Sequence, residues 1–188
     1  MKKIDLIKKV ESEINNCQKC RLSQSRLNTV PGEGNLNASI MIIGEGPGKS
    51  ESEQGRPFVG RSGELLNSWL MKELNLKRED VYITNIVKCR PPNNRDPKPD
   101  EVEKCISYLN RQIEIIKPKI IITLGRVALQ SLFNNNELRI TRERGRWRTY
   151  NNIPVLPTFH PAFYLRQSSE ANKKAIKSDL LKVAEKIK

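Results

Sequence analysis

Apolar residues recur along the chain in two rhythms. Ile4, Ile7, Val10 and Ile14 step by three and four, which predicts an amphipathic N-terminal helix ending near Cys17. Leu65, Leu66, Trp69, Leu70 and Leu74 predict a helix from about Ser62, and Ile176, Leu180, Val183 and Ile187 predict a last one. Pro99-Asp100-Glu101 opens another that runs to about Ile116. Proline suits a first helical turn, and acidic residues suit the positive end of the helix dipole. A fifth helix follows Gly125 and reaches Leu132. Between these lie short apolar runs: Ile40–Ile43, Val81–Val87, Ile120–Leu124 and Ile153–Pro157. Strands of this kind alternating with helices predict an α/β chain whose central, mainly parallel four-stranded sheet carries helices on both faces. At 188 residues, with no repeat, low-complexity tract or linker, residues 1–188 read as a single domain.

Sheets of this type bind ligands outside the carboxyl ends of their strands. The residues there are Gly44–Gly48, Asn85–Cys89, Gly125 and Phe159-His160. Six of the ten glycines fall between Gly44 and Gly63. The loop reads Gly44-Glu45-Gly46-Pro47-Gly48, then Gly55-Arg56-Pro57-Phe58-Val59-Gly60. Glycines let backbone approach a ligand closely, Glu45 supplies an acid and Phe58 a flat wall. Two phosphate motifs fail here. Three residues, not four, separate Gly44 from Gly48 ahead of Lys49-Ser50, Ile43 stands where a P-loop needs glycine, and Pro47 removes a backbone donor. The third glycine of a dinucleotide motif would fall on Lys49.

Charge narrows the partner. A formal net charge of +13 points to a polyanion, nucleic acid first. Arg139–Arg148 holds five arginines around Gly145 and Trp147, and is a better candidate for tracking phosphates than the lysines of the last helix, which suit a solvated face. No apolar run approaches the ~18 residues of a membrane span, and Met1–Ile7 lacks the features of a signal peptide. An intracellular, cytoplasmic protein is the expectation, with its cysteines reduced.

There are four cysteines and one histidine. Cys17-x2-Cys20 with Cys89-x15-Cys105 is awkward for a structural zinc site built from two short knuckles, and an iron–sulfur cluster accepts such scattered thiolates more readily. Zinc and four unligated thiols are the alternatives. His160 follows a core strand at the ligand edge and precedes Pro161; a lone histidine is more often structural, yet a neutral imidazole here could donate to charge developing on a carbonyl oxygen. Asn85 lies in a β-branched strand, where asparagine is depleted and costly without partners. It reads either as a satisfied turn residue or as an amide that matches the edge of a planar ligand.

In this order and spacing, Cys17-x2-Cys20, Gly44–Gly48, Gly55–Gly60, Asn85-x3-Cys89-Arg90-Pro91-Pro92, Cys105 and His160–Arg166 resemble the family 4 uracil-DNA glycosylases, the iron–sulfur branch of their superfamily. The resemblance runs from about Cys17 to Arg166. It implies a three-layer α/β/α fold and a monofunctional enzyme that flips uracil out of single- or double-stranded DNA and hydrolyses its glycosidic bond. By the family's pattern Phe58 stacks on the base, Asn85 donates to O4 and accepts from N3–H, and His160 donates to O2. Glu45 would position water or stabilise the sugar cation; Glu51 is the second candidate, or a wall against the methyl of thymine. Gly46 in the uracil site aligns with the catalytic aspartate of the superfamily's best-known family. Pro161–Arg166 would form a minor-groove loop with Tyr164 or Leu165 as wedge. Arg166 and Arg61-Ser62-Gly63 would contact phosphates. Cys17, Cys20, Cys89 and Cys105 would hold one architectural 4Fe-4S cluster. The enzyme would act as a monomer, and no feature points to a sliding-clamp partner. Its rivals are a non-catalytic nucleic-acid-binding iron–sulfur protein and an electron-transfer protein.

Overall fold

The structure is a computed structural model that describes residues 2–187. Six strands form one sheet: β1 (Glu33–Gly34), β2 (Ile40–Gly44), β3 (Tyr82–Asn85), β4 (Ile120–Leu124), β5 (Arg148–Tyr150) and β6 (Ile153–Thr158), ordered β1-β3-β2-β4-β6-β5. The four central strands are parallel, as the apolar runs predict. Two short antiparallel edges flank them and are absent from the sequence reading: β1 on β3 and β5 on β6. A two-residue strand is too short to carry periodicity, and β5 is a three-residue strand that begins at the last residue of the arginine-rich segment.

Among the described residues the α-helices are α1 (Lys3–Asn15), α2 (Lys49–Gln54), α3 (Arg61–Trp69), α4 (Pro99–Ile116), α5 (Gly125–Phe133), α6 (Ile140–Glu143), α7 (Pro161–Arg166) and α8 (Glu170–Ile187). Alternate residues of each central strand face opposite layers. Met41 and Ile43 join Ile7 of α1, Leu109 and Ile113 of α4 and Ala128 of α5 in one core. Ile40 and Ile42 join Leu66 and Trp69 of α3 and Ile176, Leu180 and Val183 of α8 in the other. Every residue of β2 and β4 is buried, so the sheet is covered on both faces and the fold is the expected α/β/α sandwich. This double burial leaves the strand ends as the place where polar chemistry can meet solvent. No helix among the described residues is long and apolar enough to cross a membrane.

Candidate active site

At the carboxyl ends of β2, β3, β4 and β6 lies an open cleft of about 710 Å³. That falls within the ~300–1,000 Å³ of a pocket shaped for one small molecule. Glu45, Gly46, Glu51, Phe58, Arg61, Ser62, Asn85, His160 and Arg166 all line it. Residues more than a hundred positions apart meet there because parallel strands deliver their ends to one edge.

Asn85 closes β3 and is 1% exposed. Its Oδ1 is buried without a hydrogen-bond partner. A buried acceptor left unpaired is costly, and one aimed at a cleft is poised for a donor on a ligand. The neighbouring strand end must be glycine: a Cβ on Gly44 would lie 2.4 Å from Asn85 Oδ1 and 2.6 Å from the Phe58 ring. Gly46 is similarly tight, since a Cβ there would stand 2.7 Å from Val87 Cγ2. A side chain at position 46 would have to displace Val87, and the carboxylate that this loop does carry is Glu45.

Glu45 is half-buried. Burial, and secondarily the charge of Asp96, push its carboxyl up to about 7, against the opposing pull of Arg126 and Arg166. Glu51 serves the loop instead. Its Oε1 accepts from the backbone N–H groups of Val59 (2.9 Å) and Gly60 (3.0 Å), on the residues just after Phe58.

His160 caps α7. Its Nδ1 accepts from the Ala162 backbone N–H at 3.0 Å, and a Cβ on Gly125 would meet its own Cβ at 3.0 Å, so glycine makes its seat. A ring whose Nδ1 accepts carries its proton on Nε2 when neutral. Burial, then the nearby Arg166 charge, lower the imidazole to about 4, with Glu51 opposing. His160 is thus a neutral donor across the physiological range. Its ring lies 5.7 Å from that of Phe58, tilted by 32°, so the two form adjoining walls.

Three expected residues lie off the cleft wall. Gly63 packs beneath the Phe58 carbonyl, where a Cβ would come within 1.9 Å of its oxygen. Tyr164 is half-buried with its ring edge-on to Trp69 at 6.1 Å, whereas Leu165 is exposed. The wall also includes Asn94, Arg95, Asp96 and Arg126, which the sequence reading missed. Arg126 directly follows Gly125 past β4, so the strand-end rule already marked its place. Asp96 pairs with Arg126.

The four cysteines meet elsewhere, around a small cavity of about 20 Å³ walled by Ile14, Leu22, Val87 and Tyr108. The Lys88 backbone N–H lies 3.3 Å from Cys105 Sγ, and Arg26 donates to the Cys17 carbonyl (2.7 Å) and to Cys89 Sγ (3.4 Å). As free thiols, Cys89 and Cys105 are pushed up by burial, Cys105 to about 11. Among the described residues, no three His, Cys, Asp or Glu side chains are grouped to hold a single metal ion.

Residues 31–183 match the family described as the Uracil DNA glycosylase superfamily. The chain belongs to that superfamily. Relatives are similar over nearly its whole length. A type-4 uracil-DNA glycosylase of Saccharolobus solfataricus is 48% identical over 192 residues, covering 98% of this chain and 87% of the relative. Those of Sulfurisphaera tokodaii and Thermotoga maritima are 46% and 44% identical, covering 97% and 98% of this chain and 85% and 96% of the relatives. These matches extend beyond the superfamily segment to the α1 region that carries Cys17 and Cys20.

Proposed function

We propose that this uracil-DNA glycosylase holds an extruded uracil between Phe58, Asn85 and His160 and hydrolyses its glycosidic bond with Glu45 as the acid-base group. The orphaned Oδ1 of Asn85 carries the reading. Uracil offers N3–H to that acceptor and O4 to the amide N–H. Cytosine presents an acceptor and a donor at the same two places and is rejected. Phe58 supplies a stacking face for the ring.

Glycosidic cleavage leaves negative charge on the departing base, shared with O2, and positive character on the sugar. The Nε2–H of neutral His160 donates to O2 as that charge grows, and a donor already fixed by its Nδ1 contact needs no reorganisation. With the imidazolium form depressed to about 4, His160 is a neutral ring at neutral pH. A neutral imidazole N–H is too weak an acid to transfer its proton, so uracil departs as an anion stabilised by a hydrogen bond. The ionised Glu45 orients the attacking water, takes its proton and offsets sugar charge. Glu51 contributes by holding the Val59-Gly60 turn.

Arg61 and Ser62 at the start of α3, together with Arg166, contact flanking phosphates, and exposed Leu165 fills the vacated stack. Cys17, Cys20, Cys89 and Cys105 hold one 4Fe-4S cluster. Four cysteines from scattered positions lining one cavity support this reading, since a cluster is held by four such thiolates. The cluster supplies architecture to a hydrolysis that transfers no electrons. The enzyme works as a monomer inside the cell.

Release of free base from matched oligonucleotides carrying uracil, thymine or cytosine at one site tests the function. Uracil alone is released without added metal or nucleotide; retention of uracil in both single-stranded and G·U substrates refutes the reading. Protein purified without air is brown, and a colourless protein with stoichiometric zinc overturns the cluster.

A further inference from the structure

Phe58 is a buried residue at φ +49, in the left-handed region that bulky side chains rarely occupy. Such a conformation persists only where its surroundings over-determine it. One side of the turn is held by Glu51, through the amides of Val59 and Gly60. The other side is held from outside the cleft. Arg78 donates from Nη1 to the Phe58 carbonyl (2.9 Å), from Nη2 to the Pro57 carbonyl, and from Nε to Glu33 Oε1 (2.8 Å). Glu33 in turn accepts from Arg56 at 2.7 and 2.9 Å.

We propose that Arg78, oriented by Glu33, is a positioning residue that sets the Phe58 ring against Asn85. Arg78 opens the short helical turn Arg78–Asp80 that feeds directly into β3, the strand ending in Asn85. Glu33 lies on β1, paired in register with Ile83 of the same strand. One guanidinium therefore ties the stacking turn to the strand that carries the reading amide. The distance between stacking ring and amide is set through the backbone, outside the base pocket. Only a planar fork with several donors reaches two carbonyls and a carboxylate together, so lysine cannot replace it.

The inference rests on Phe58 as the stacking ring, and its test separates the two. Uracil release is measured in single turnover at saturating enzyme for Arg78→Lys, Phe58→Ala and the double variant, with DNA affinity and melting temperature followed alongside. Arg78→Lys is expected to slow release about tenfold at little cost in DNA affinity. In the Phe58→Ala background the same substitution changes the rate less than about twofold, because its effect passes through that ring. Equal losses in both backgrounds overturn the positioning role while leaving the stacking role intact. A Phe58→Ala rate equal to wild type overturns the stacking role, and this inference with it. Should Arg78→Lys fail to fold, Glu33→Gln, which releases the same guanidinium, carries the cycle with the same two criteria.

Discussion

The cleft and the cysteine cavity lie either side of one short stretch of chain and follow opposite rules. The cleft is open and polar. It contains a buried acceptor with no partner, a strained phenylalanine and a carboxyl displaced to about 7. The cysteine cavity has apolar side chains between its sulfurs, and neighbouring polar groups are already bonded: Arg26 to the Cys17 carbonyl and Cys89 Sγ, Ser23 to the Cys20 carbonyl. Lys88 stands between the two: its backbone N–H meets Cys105 Sγ, and its Nζ donates to the Asn85 carbonyl (2.6 Å), Thr84 Oγ1 (2.7 Å) and Gln112 Oε1 (2.8 Å). Unsatisfied groups mark the place where a ligand completes the structure; satisfied ones mark the frame that holds it.

If that division is right, substitutions in the cleft remove rate and spare stability. Asn85→Ala and His160→Ala are expected to show the largest effects, a loss of about 10²–10³ in single-turnover uracil release. DNA affinity in gel-shift titration should fall by only a few fold. Equal losses of binding and rate for either variant would move that residue from chemistry to docking.

Glu45 gives the same contrast a pH signature. In the proposed mechanism the ionised form is the competent one, so the rate should climb through pH 7 and level off above about 8, while His160 stays neutral throughout. Glu45→Gln abolishes the climb along with most of the activity. Its effect on stability has the opposite sign. A carboxyl raised from 4.5 to about 7 contributes stability below its unfolded value and loses it as pH rises through 7. Glu45→Gln should therefore melt on the order of 5 °C higher than wild type at pH 8, with the gap closing below pH 6. A variant that melts lower than wild type at pH 8 would contradict a desolvated carboxylate.

Across the divide the expectation reverses. Removing iron with a chelator under reducing conditions, or Cys105→Ser, should lower the melting temperature by about 10 °C or more. Activity lost in this way should track the unfolded fraction as temperature rises. A cluster-free protein that melts like the parent would deny the cavity its architectural role.

The two regions were unequally legible in the sequence. Four strands were located by apolar runs alone, and with them Glu45, Asn85 and His160, because a doubly covered parallel sheet writes its strands as unbroken β-branched segments, although the run Val81–Val87 overshoots β3, which ends at Asn85. The edges β1 and β5 left no such trace, being short and half solvated. The motif spacing brought the cysteines together in advance of any geometry. The acceptor role of His160 Nδ1, and hence its tautomer, depends on where the α7 backbone turns, which no spacing encodes. Arg78 and Asp96 were missed for a related reason: each sits in an ordinary polar stretch and gains meaning only from the partner the fold delivers to it.

The arginine-rich segment tests whether the cleft extends beyond the base pocket. Two of its five arginines are committed internally, Arg144 to buried Asp179 and Arg148 to Glu143. Arg139, Arg142 and Arg146 are exposed. The first two flank Ile140 and Thr141, which line the cleft wall. A DNA strand entering the cleft would pass within reach of their guanidiniums, where each phosphate neutralised releases counterions. Arg139→Gln with Arg142→Gln should flatten the dependence of log K on log salt by about 2, so that affinity falls most at low salt and least near physiological ionic strength. Arg146→Gln, at a position not adjacent in sequence to those lining residues, should change the slope by less than ~1. The same slope for both variants as for wild type would confine the DNA footprint to Arg61, Ser62 and Arg166, and leave the arginines as solvated surface.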